Sequence, residues 1–342
     1  MTARFAMVLA AGRGERMIPL TDVLPKPLLP IANRPVMAYI LEHLARHGFT
    51  DVIANVWYRA QDIVDCFGDG SRYGVRLSYA HEDKLWGSAG SVKRNEPFFQ
   101  GERFLVIGAD DLTNMDLTEL VRRHLKAKAL ASIGLTEVEE TSQFGIVVTD
   151  KGGRIERFVE KPKGPAPSNT ANTQIYLFEP RIHSFIPPGE WYDFGYNVFP
   201  ELVGKGEPFY GFALPGYWRD IGSLEGYLAA QWDIMRGDLG LTIPGEEREP
   251  HVWIGAGAEI HETANISPPA VIGAGCRIGA GACIGGATAV ADGVAVPPGA
   301  SLWNCCLWEG ARVAPDERLS NAVVGPDGVI AQAAETRPTE VG

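Results

Sequence analysis

The chain has 342 residues, 45% hydrophobic and 21% charged, with a net charge of −11. That length exceeds what one hydrophobic core usually organises and predicts two domains. The acidic balance argues against nonspecific nucleic-acid binding and anionic membrane surfaces, and no apolar run reaches the ~20 residues a bilayer crossing needs.

From the N-terminus, "FAMVLAA" reads as a buried strand. Arg4 precedes it as it would a secretory signal core, but the run is short, and the glycines and arginines after it suit a strand-to-loop transition better. The first fifty residues oppose the overall charge, because Arg4, Arg13, Arg16, Lys26, Arg34 and Arg46 outnumber Glu15, Asp22 and Glu42. A positive island in an acidic protein points to a small anionic ligand. "PVMAYILEHLARHG" is an amphipathic helix closed by Gly48, and "DVIANVW", "RLSYAHE" and "RFLVIGADD" are strands, the last ending in two carboxylates. "LTELVRRHLKAKA" is helical, while "ASIGLTEV" and "FGIVVTD" are strand-like. This alternation predicts an α/β domain with a Rossmann-like, mixed and mostly parallel sheet and helices on both faces. Ligands gather at the carboxyl ends of such strands, where Gly12–Arg16 and Asp110–Asp111 fall.

Near residue 236 the pattern changes. "RGDLGLTIPGEEREP" is polar and rich in glycine and proline, a linker over 236–250. Beyond it Ile254, Ile260, Ile266, Ile272, Ile278, Ile284, Val290, Val296 and Leu302 recur every sixth residue, and Trp308 continues the register. Two positions earlier the residue is usually small, as at Ala258, Ala264, Ala270, Cys276, Ala282 and Thr288. A helix would rotate such a repeat around its surface, whereas a solenoid of short strands keeps every aliphatic inside. The pattern resembles the hexapeptide-repeat left-handed parallel β-helix. The expected organisation is therefore an α/β domain over 1–235, a linker, a β-helix over 251–330 and a tail over 331–342. Cys66, Cys276, Cys283, Cys305 and Cys306 form neither a CxxC pair nor an even framework, which fits reduced thiols and a cytoplasmic setting.

Phosphate esters call for backbone N–H donors, cationic side chains and a divalent metal. Gly12 and Gly14 let the backbone approach a polyphosphate, Arg16 offers a planar fork and Lys26 a point charge, with Pro25, Pro27 and Pro30 stiffening the lysine's segment. "GRGER" alone is a weak signal, lacking the ending of a P-loop and the third glycine of a dinucleotide fingerprint. The longer stretch "LAAGRGERMIPLTDVLPKPLLPI" closely resembles the signature of the sugar-1-phosphate nucleotidyltransferases. "HEDKLWGSAGS", "VIGADDL", "FGIVVTDKGGRIERFVEKP", "NTQIYLFEP" and "YWRDIGSLEGY" resemble that family's further motifs in the same order, across most of the first 235 residues.

The resemblance implies a GT-A-like fold and these roles. Leu9, Ala10, Ala11 and Gly12 line the base and ribose, with Glu82 and Gly87 in the base-reading segment. Gly14 and Arg16 meet the triphosphate and Lys26 the phosphates of the reacting pair, while Asp110 and Asp220 hold Mg²⁺. Lys161 takes the sugar phosphate, and Gly145, Glu160 and Asn172 the sugar. Bland readings stand beside these: Asp110 as a helix cap with Asp111 the ligand, Asp220 as a turn residue, and Glu160–Lys161 as a solvated pair. His81 and His124 read as surface residues. Gln174 stands where the family has glycine, Tyr196 and Asn197 replace a Lys-Asp pair, and "KLW" replaces Pro-Leu, which leaves the substrate open.

The implied reaction is Mg²⁺-dependent in-line displacement joining a nucleoside triphosphate to a sugar-1-phosphate, with release of pyrophosphate. Glu82 accepts hydrogen bonds only, and guanine offers two adjacent donors, so GTP with mannose-1-phosphate is the expected pair. UTP or dTTP with a glucose-type sugar is the alternative. Two further readings are an acyltransferase built on His251 or His261 of the repeat, and a catalytically silent regulatory subunit. The expected partners are these small molecules and further copies of the chain, with no nucleic acid or membrane.

Overall fold

A computed structural model describes residues 3–237 and 239–334. Two compact units interleave along the chain. The first takes residues up to Arg13, then Ile40–Ala109 and Thr113–Trp218; the second takes Gly14–Tyr39, Asp110–Leu112 and the chain from Arg219 onward. This division cuts across the linear boundaries expected at 235 and 250. The Lys26 segment and Asp110 belong to the same unit as the hexad repeat.

The first unit is built on one nine-stranded mixed sheet. Its strands are β1 (Phe5–Leu9), β2 (Asp51–Val56), β3 (Arg76–His81), β4 (Phe104–Gly108), β5 (Ala131–Glu137), β6 (Gly145–Thr149), β7 (Ile155–Glu160), β8 (Thr170–Phe178) and β9 (Phe209–Ala213). The order is β7-β6-β8-β4-β1-β2-β3, with β5 joining β8 to β9. Strands β4, β1, β2 and β3 are mutually parallel, whereas β8 runs antiparallel to β4, β5 and β6. Phe5, Ala6, Met7 and Val8 are all buried, as a central parallel strand covered on both faces requires. The register sets Leu9 beside Asn55 on one flank and Gly108 on the other, so the carboxyl ends of three strands converge where the first loop leaves.

His124 departs from expectation. The helix Leu117–Ala127 buries Leu117, Leu120 and His124, one face at 3.6 spacing. The imidazole is therefore a core residue: Nδ1 meets Ser132 Oγ at 2.8 Å and Nε2 meets Glu179 Oε1 at 3.2 Å. His81 is exposed, as read. The helix is capped by Asp116, whose carboxylate accepts from the Glu119 N–H at 3.0 Å, so Asp110 is not its cap.

In the second unit the repeat coils into a parallel β-helix of three sheets, which hold seven, three and four strands. Ile254 pairs with Ile272, Ile260 with Ile278 and Ile266 with Ile284, an offset of three hexads per coil. The small residues Ala270, Cys276, Ala282, Thr288 and Ala300 are fully buried. Gly255, Gly273 and Gly279 sit where the next coil's backbone leaves no room for a Cβ. The period then slips by one. Val290 pairs with Leu307, not Trp308, and Leu302 with Leu319. Asn304, with φ of 54°, lies within the shortened turn. Leu307 thus joins the interior core and Trp308 does not. Antiparallel strands close both ends: Glu246–Glu249 pairs with Val252–Ile254, and Gly328–Gln332 with Ala322–Gly325. The first lies within the segment expected as linker. The second takes in Ala331 and Gln332 of the expected tail, whose residues 335–342 lie outside the described range. All five cysteines are free thiols.

Candidate functional site

The second unit gathers four charged side chains from three separate stretches. Gly14 has φ of 72°, and a Cβ there would stand 2.9 Å from both Lys26 Cγ and Thr21 Cγ2. Only glycine suits this turn, and the lysine stem packs against it. Arg16 follows in a single 3₁₀ turn, Glu15–Met17, and Lys26 opens another, Lys26–Leu28, with Pro25 before it and Pro27 inside it. The lysine is buried, and its Nζ lies 2.8 Å from Asp110 Oδ2. Asp110 stands two residues past β4, and its carbonyl accepts from the Ile221 N–H at 3.3 Å, which brings in Asp220. Asp220 Oδ2 is 3.7 Å from an Arg16 guanidinium nitrogen, while Oδ1 accepts from the Gly222 N–H at 2.7 Å. Asp220 is thus a turn residue that also faces the Arg16 guanidinium.

The electrostatics follow from burial and charge. Burial, then the neighbouring Asp110 charge, holds the Asp220 carboxyl above its ordinary range. Burial also opposes ionisation of Asp110 and Lys26, but their mutual attraction wins, lowering the carboxyl and raising the amine. Asp111, the rival ligand, is completely buried. Two facing carboxylates, one destabilised by the other, fit a hard divalent cation. Among the described residues no three His, Cys, Asp or Glu side chains form a metal cage. Magnesium usually takes one or two carboxylates and completes its octahedron with phosphate oxygens and water, a donor set that the Asp110–Asp220 pair fits.

The first unit carries two further clusters. At the carboxyl ends of β1, β2 and β3, Asn55 Oδ1 accepts from the Ala10 N–H at 2.9 Å, which orients its amide. Its Nδ2 donates to Glu82 Oε1 at 2.9 Å, and Ser91 Oγ donates to the same oxygen. Glu82 Oε2 is buried with no hydrogen-bond partner. Leu9 is partly buried, Ala10 and Ala11 are buried, and Gly12 is exposed with nothing within 4 Å of a Cβ position. Gly87, with φ of 76°, approaches the Tyr192 carbonyl too closely for any side chain. Trp86 of the "KLW" departure is buried between the Lys84 amine, 4.2 Å from its ring centre, and the Arg94 guanidinium at 4.3 Å.

The second cluster surrounds Glu160, at the end of β7. Its side chain is 16% exposed and accepts no hydrogen bond from the described residues; Lys161 Nζ lies 3.9 Å away. Burial pushes its carboxyl up to about 6, against the Lys161 charge and with help from Asp193. A Cβ on Gly145 would come within 2.8 Å of its Oε2, and one on Gly195 closer still, so two glycines cradle the carboxylate. Asn172 is buried, donating to the Tyr176 hydroxyl at 2.9 Å and accepting from the Gln174 N–H at 2.9 Å. Gln174 has φ of 57° and keeps the left-handed conformation that glycine would favour. Tyr196 is exposed, and partial desolvation, then the Glu160 charge, raises its phenol.

Sequence reading missed Asn55, Ser91, Asp193 and Gly195. Asn55 had a signal, as the one amide in the apolar run "DVIANVW". Asp193 had none: its carboxylate caps the turn at Phe194–Val198 and receives Ser88 Oγ at 2.8 Å, which only tertiary structure brings near. His251 and His261 are exposed at the start of the repeat, and His261 Nδ1 is engaged with Thr263.

A parallel α/β half-sheet with its loops at the carboxyl ends, paired carboxylates and a buried lysine define a protein that handles nucleotides and phosphates. Comparison with known proteins makes this specific: the chain belongs to the nucleotidyl transferase family, whose model matches residues 5–237. It is 38% identical over 339 residues to a UTP–glucose-1-phosphate uridylyltransferase of Synechocystis, covering 93% of this chain and 86% of that one. It is 31% identical over 269 residues to a mannose-1-phosphate guanylyltransferase of Mycobacterium tuberculosis, covering 78% and 72% respectively. The crystal structure of a UDP-glucose pyrophosphorylase complexed with UDP-glucose shares the fold, with a TM-score of 0.59 at 24% identity over 69% of this chain and all of that one. The protein is a member of the sugar-1-phosphate nucleotidyltransferases. No helix among the described residues is long and apolar enough to cross a membrane.

Proposed function

We propose that this protein joins UTP to glucose-1-phosphate, releasing pyrophosphate and forming the UDP-sugar, by direct displacement. The observation that carries the reaction is the cluster of Lys26, Asp110, Asp220 and Arg16. A sugar-1-phosphate is already anionic at neutral pH and needs no general base. The obstacle is repulsion between its phosphate and the α-phosphate it attacks, so positioning and charge neutralisation do the catalytic work. Lys26, buried and held by Asp110, presents a fixed positive charge to the reacting phosphates. Arg16, more exposed, stabilises departing pyrophosphate. Asp110 and Asp220 would hold Mg²⁺, which supplies charge neutralisation at the phosphate oxygens when bound. Glu160 accepts hydrogen bonds from sugar hydroxyls, and Lys161 pairs with the sugar phosphate. The presence of Arg16, Lys26 and both aspartates speaks against a silent subunit.

Glu82 supports the choice of base. Asn55 and Ser91 already occupy Oε1, which leaves Oε2 as the remaining acceptor. Guanine's two adjacent donors call for both oxygens, whereas uracil's single N3–H needs one. The Synechocystis uridylyltransferase, matched across both domains, supports the same pair. GTP with mannose-1-phosphate is the second reading, supported by the carboxylate itself and by the guanylyltransferase relatives.

The test is a pyrophosphate-release screen of nucleoside triphosphates against sugar-1-phosphates with Mg²⁺. Release with UTP and glucose-1-phosphate is expected. Release only with GTP would overturn the base assignment, and release with no pair would overturn the reaction.

A further inference from the structure

The hairpin Pro30–Ile31/Arg34–Pro35, four residues beyond Lys26, is bound by two buried side chains of the helix Leu224–Met235. The Pro30 carbonyl accepts from the Tyr227 hydroxyl at 2.6 Å and from Gln231 Nε2 at 2.8 Å. Gln231 Oε1 accepts from the Ala32 N–H at 2.7 Å, so both ends of one amide clamp the hairpin. Tyr227 and Gln231 are fully buried.

The clamp is itself held by the β-helix. Trp308 Nε1 donates to the Tyr227 hydroxyl at 3.2 Å. Separately, Asn33 Nδ2 at the hairpin tip donates to the Val290 carbonyl at 2.7 Å, one coil earlier. An indole N–H only donates and a carbonyl only accepts, so the tyrosine hydroxyl accepts from Trp308 and donates to Pro30, with the Cys306 thiol as its other neighbour. Trp308 is available because the coil is one residue short there. Leu307 fills the interior position, and the tryptophan turns outward.

The link from hairpin to lysine is stiff. Leu28 N–H donates to the Pro25 carbonyl at 2.8 Å, Leu29 N–H to the Lys26 carbonyl at 3.0 Å, and Val36 N–H to the Leu29 carbonyl at 3.0 Å. Pro27 and Pro30 restrict the remaining torsions. A shift of the hairpin therefore moves the Lys26 backbone.

We propose that Tyr227 is a positioning residue for Lys26, and that the β-helix acts through Trp308 and Val290 to hold the lysine in register with the reacting phosphates. The repeat domain is then part of the catalytic apparatus. This rests on the nucleotidyl-transfer reading above.

The experiment compares full-length wild type with Tyr227→Phe, Trp308→Phe and the double variant, using pyrophosphate-release kinetics well below each protein's Tm. Tyr227→Phe keeps the ring and removes only the hydroxyl, whereas Trp308→Phe removes the indole N–H together with part of a buried ring. Tyr227→Phe should lower kcat about tenfold, with KM for the triphosphate changed less than about twofold, as loss of alignment at one buried hydrogen bond predicts. Trp308→Phe should lower kcat less, and the double variant should match Tyr227→Phe alone, because the indole acts only through the hydroxyl. A lower Tm with unchanged kcat in folded Tyr227→Phe would make the contact merely structural and overturn the proposal. An additive double variant would overturn the relay through Trp308. Inactivity of the unaltered enzyme with every substrate pair would overturn the underlying reading, and this proposal with it.

Discussion

Lys26 Nζ and Asp110 Oδ2 meet at 2.8 Å across 84 positions of sequence. The contact joins a proline-stiffened loop to the end of a buried strand, and each group holds the other ionised against burial. A buried pair of this kind contributes little net stability, because desolvation offsets the attraction. Its value here is a positive charge at a fixed point.

Lys26→Met should reduce pyrophosphate release by about 10²–10³-fold, the range for loss of one preorganised electrostatic group. It also strands Asp110 and should cost about 3–5 kcal/mol of stability. Adding Asp110→Asn should restore most of the denaturation midpoint and none of the activity. Recovery of activity in the double variant would remove both residues from the reaction.

Glu160 supplies a pH signature. Its carboxyl titrates at about 6 in the folded protein, above the ordinary 4.5, so the folded state holds the proton more tightly. The resulting stabilisation is full below 4.5 and lost as the pH rises through 6, leaving a penalty of about 2 kcal/mol at neutral pH. Activity should fall below pH ~6 as the acceptor is protonated. Glu160→Gln should be more stable than wild type at pH 8, equal to it at pH 4, and poorly active throughout. Denaturant titrations at the two pH values check the sign.

Ser91→Ala tests how the base is read. The hydroxyl donates to Glu82 Oε1, and removing it frees acceptor capacity on that oxygen. The ratio of kcat/KM for UTP over GTP should fall about tenfold, the worth of one hydrogen bond. An unchanged ratio would place base selection elsewhere, such as the backbone around Ala10 and Gly87.

Three buried histidines predict acid sensitivity. Burial depresses His43 to about 3 and His124 and His183 to about 4, so all three are neutral when folded at pH 5. The unfolded chain binds protons below pH ~6.5, and stability should therefore drop by several kcal/mol between pH 7 and pH 5. His124→Gln should flatten part of that slope in urea unfolding. A slope no shallower than wild type would contradict the assignment.

Much of the candidate site was legible in the sequence because its residues are local. Gly14, Arg16, Lys26 and the prolines around them lie in one stretch, and a positive island in an acidic chain is visible without coordinates. The hexad period announced the β-helix, since only a coil of constant length keeps every sixth side chain inside. The one-residue slip at Trp308 was invisible, because an aromatic residue satisfies the pattern equally well inside or turned outward.

The class of fold and the family were readable from the chain alone, because they follow from periodicity and from residue types in a fixed order, and the same order nominated the candidate site side chains. Tertiary structure decided how those side chains are tuned. Asn55 and Ser91 restrict Glu82, Gly145 and Gly195 bury Glu160, and the β-helix braces the segment that carries Lys26. Each depends on atoms distant along the chain meeting within hydrogen-bond or van der Waals range, and burial and the neighbouring charge set a group's proton affinity and selectivity only there.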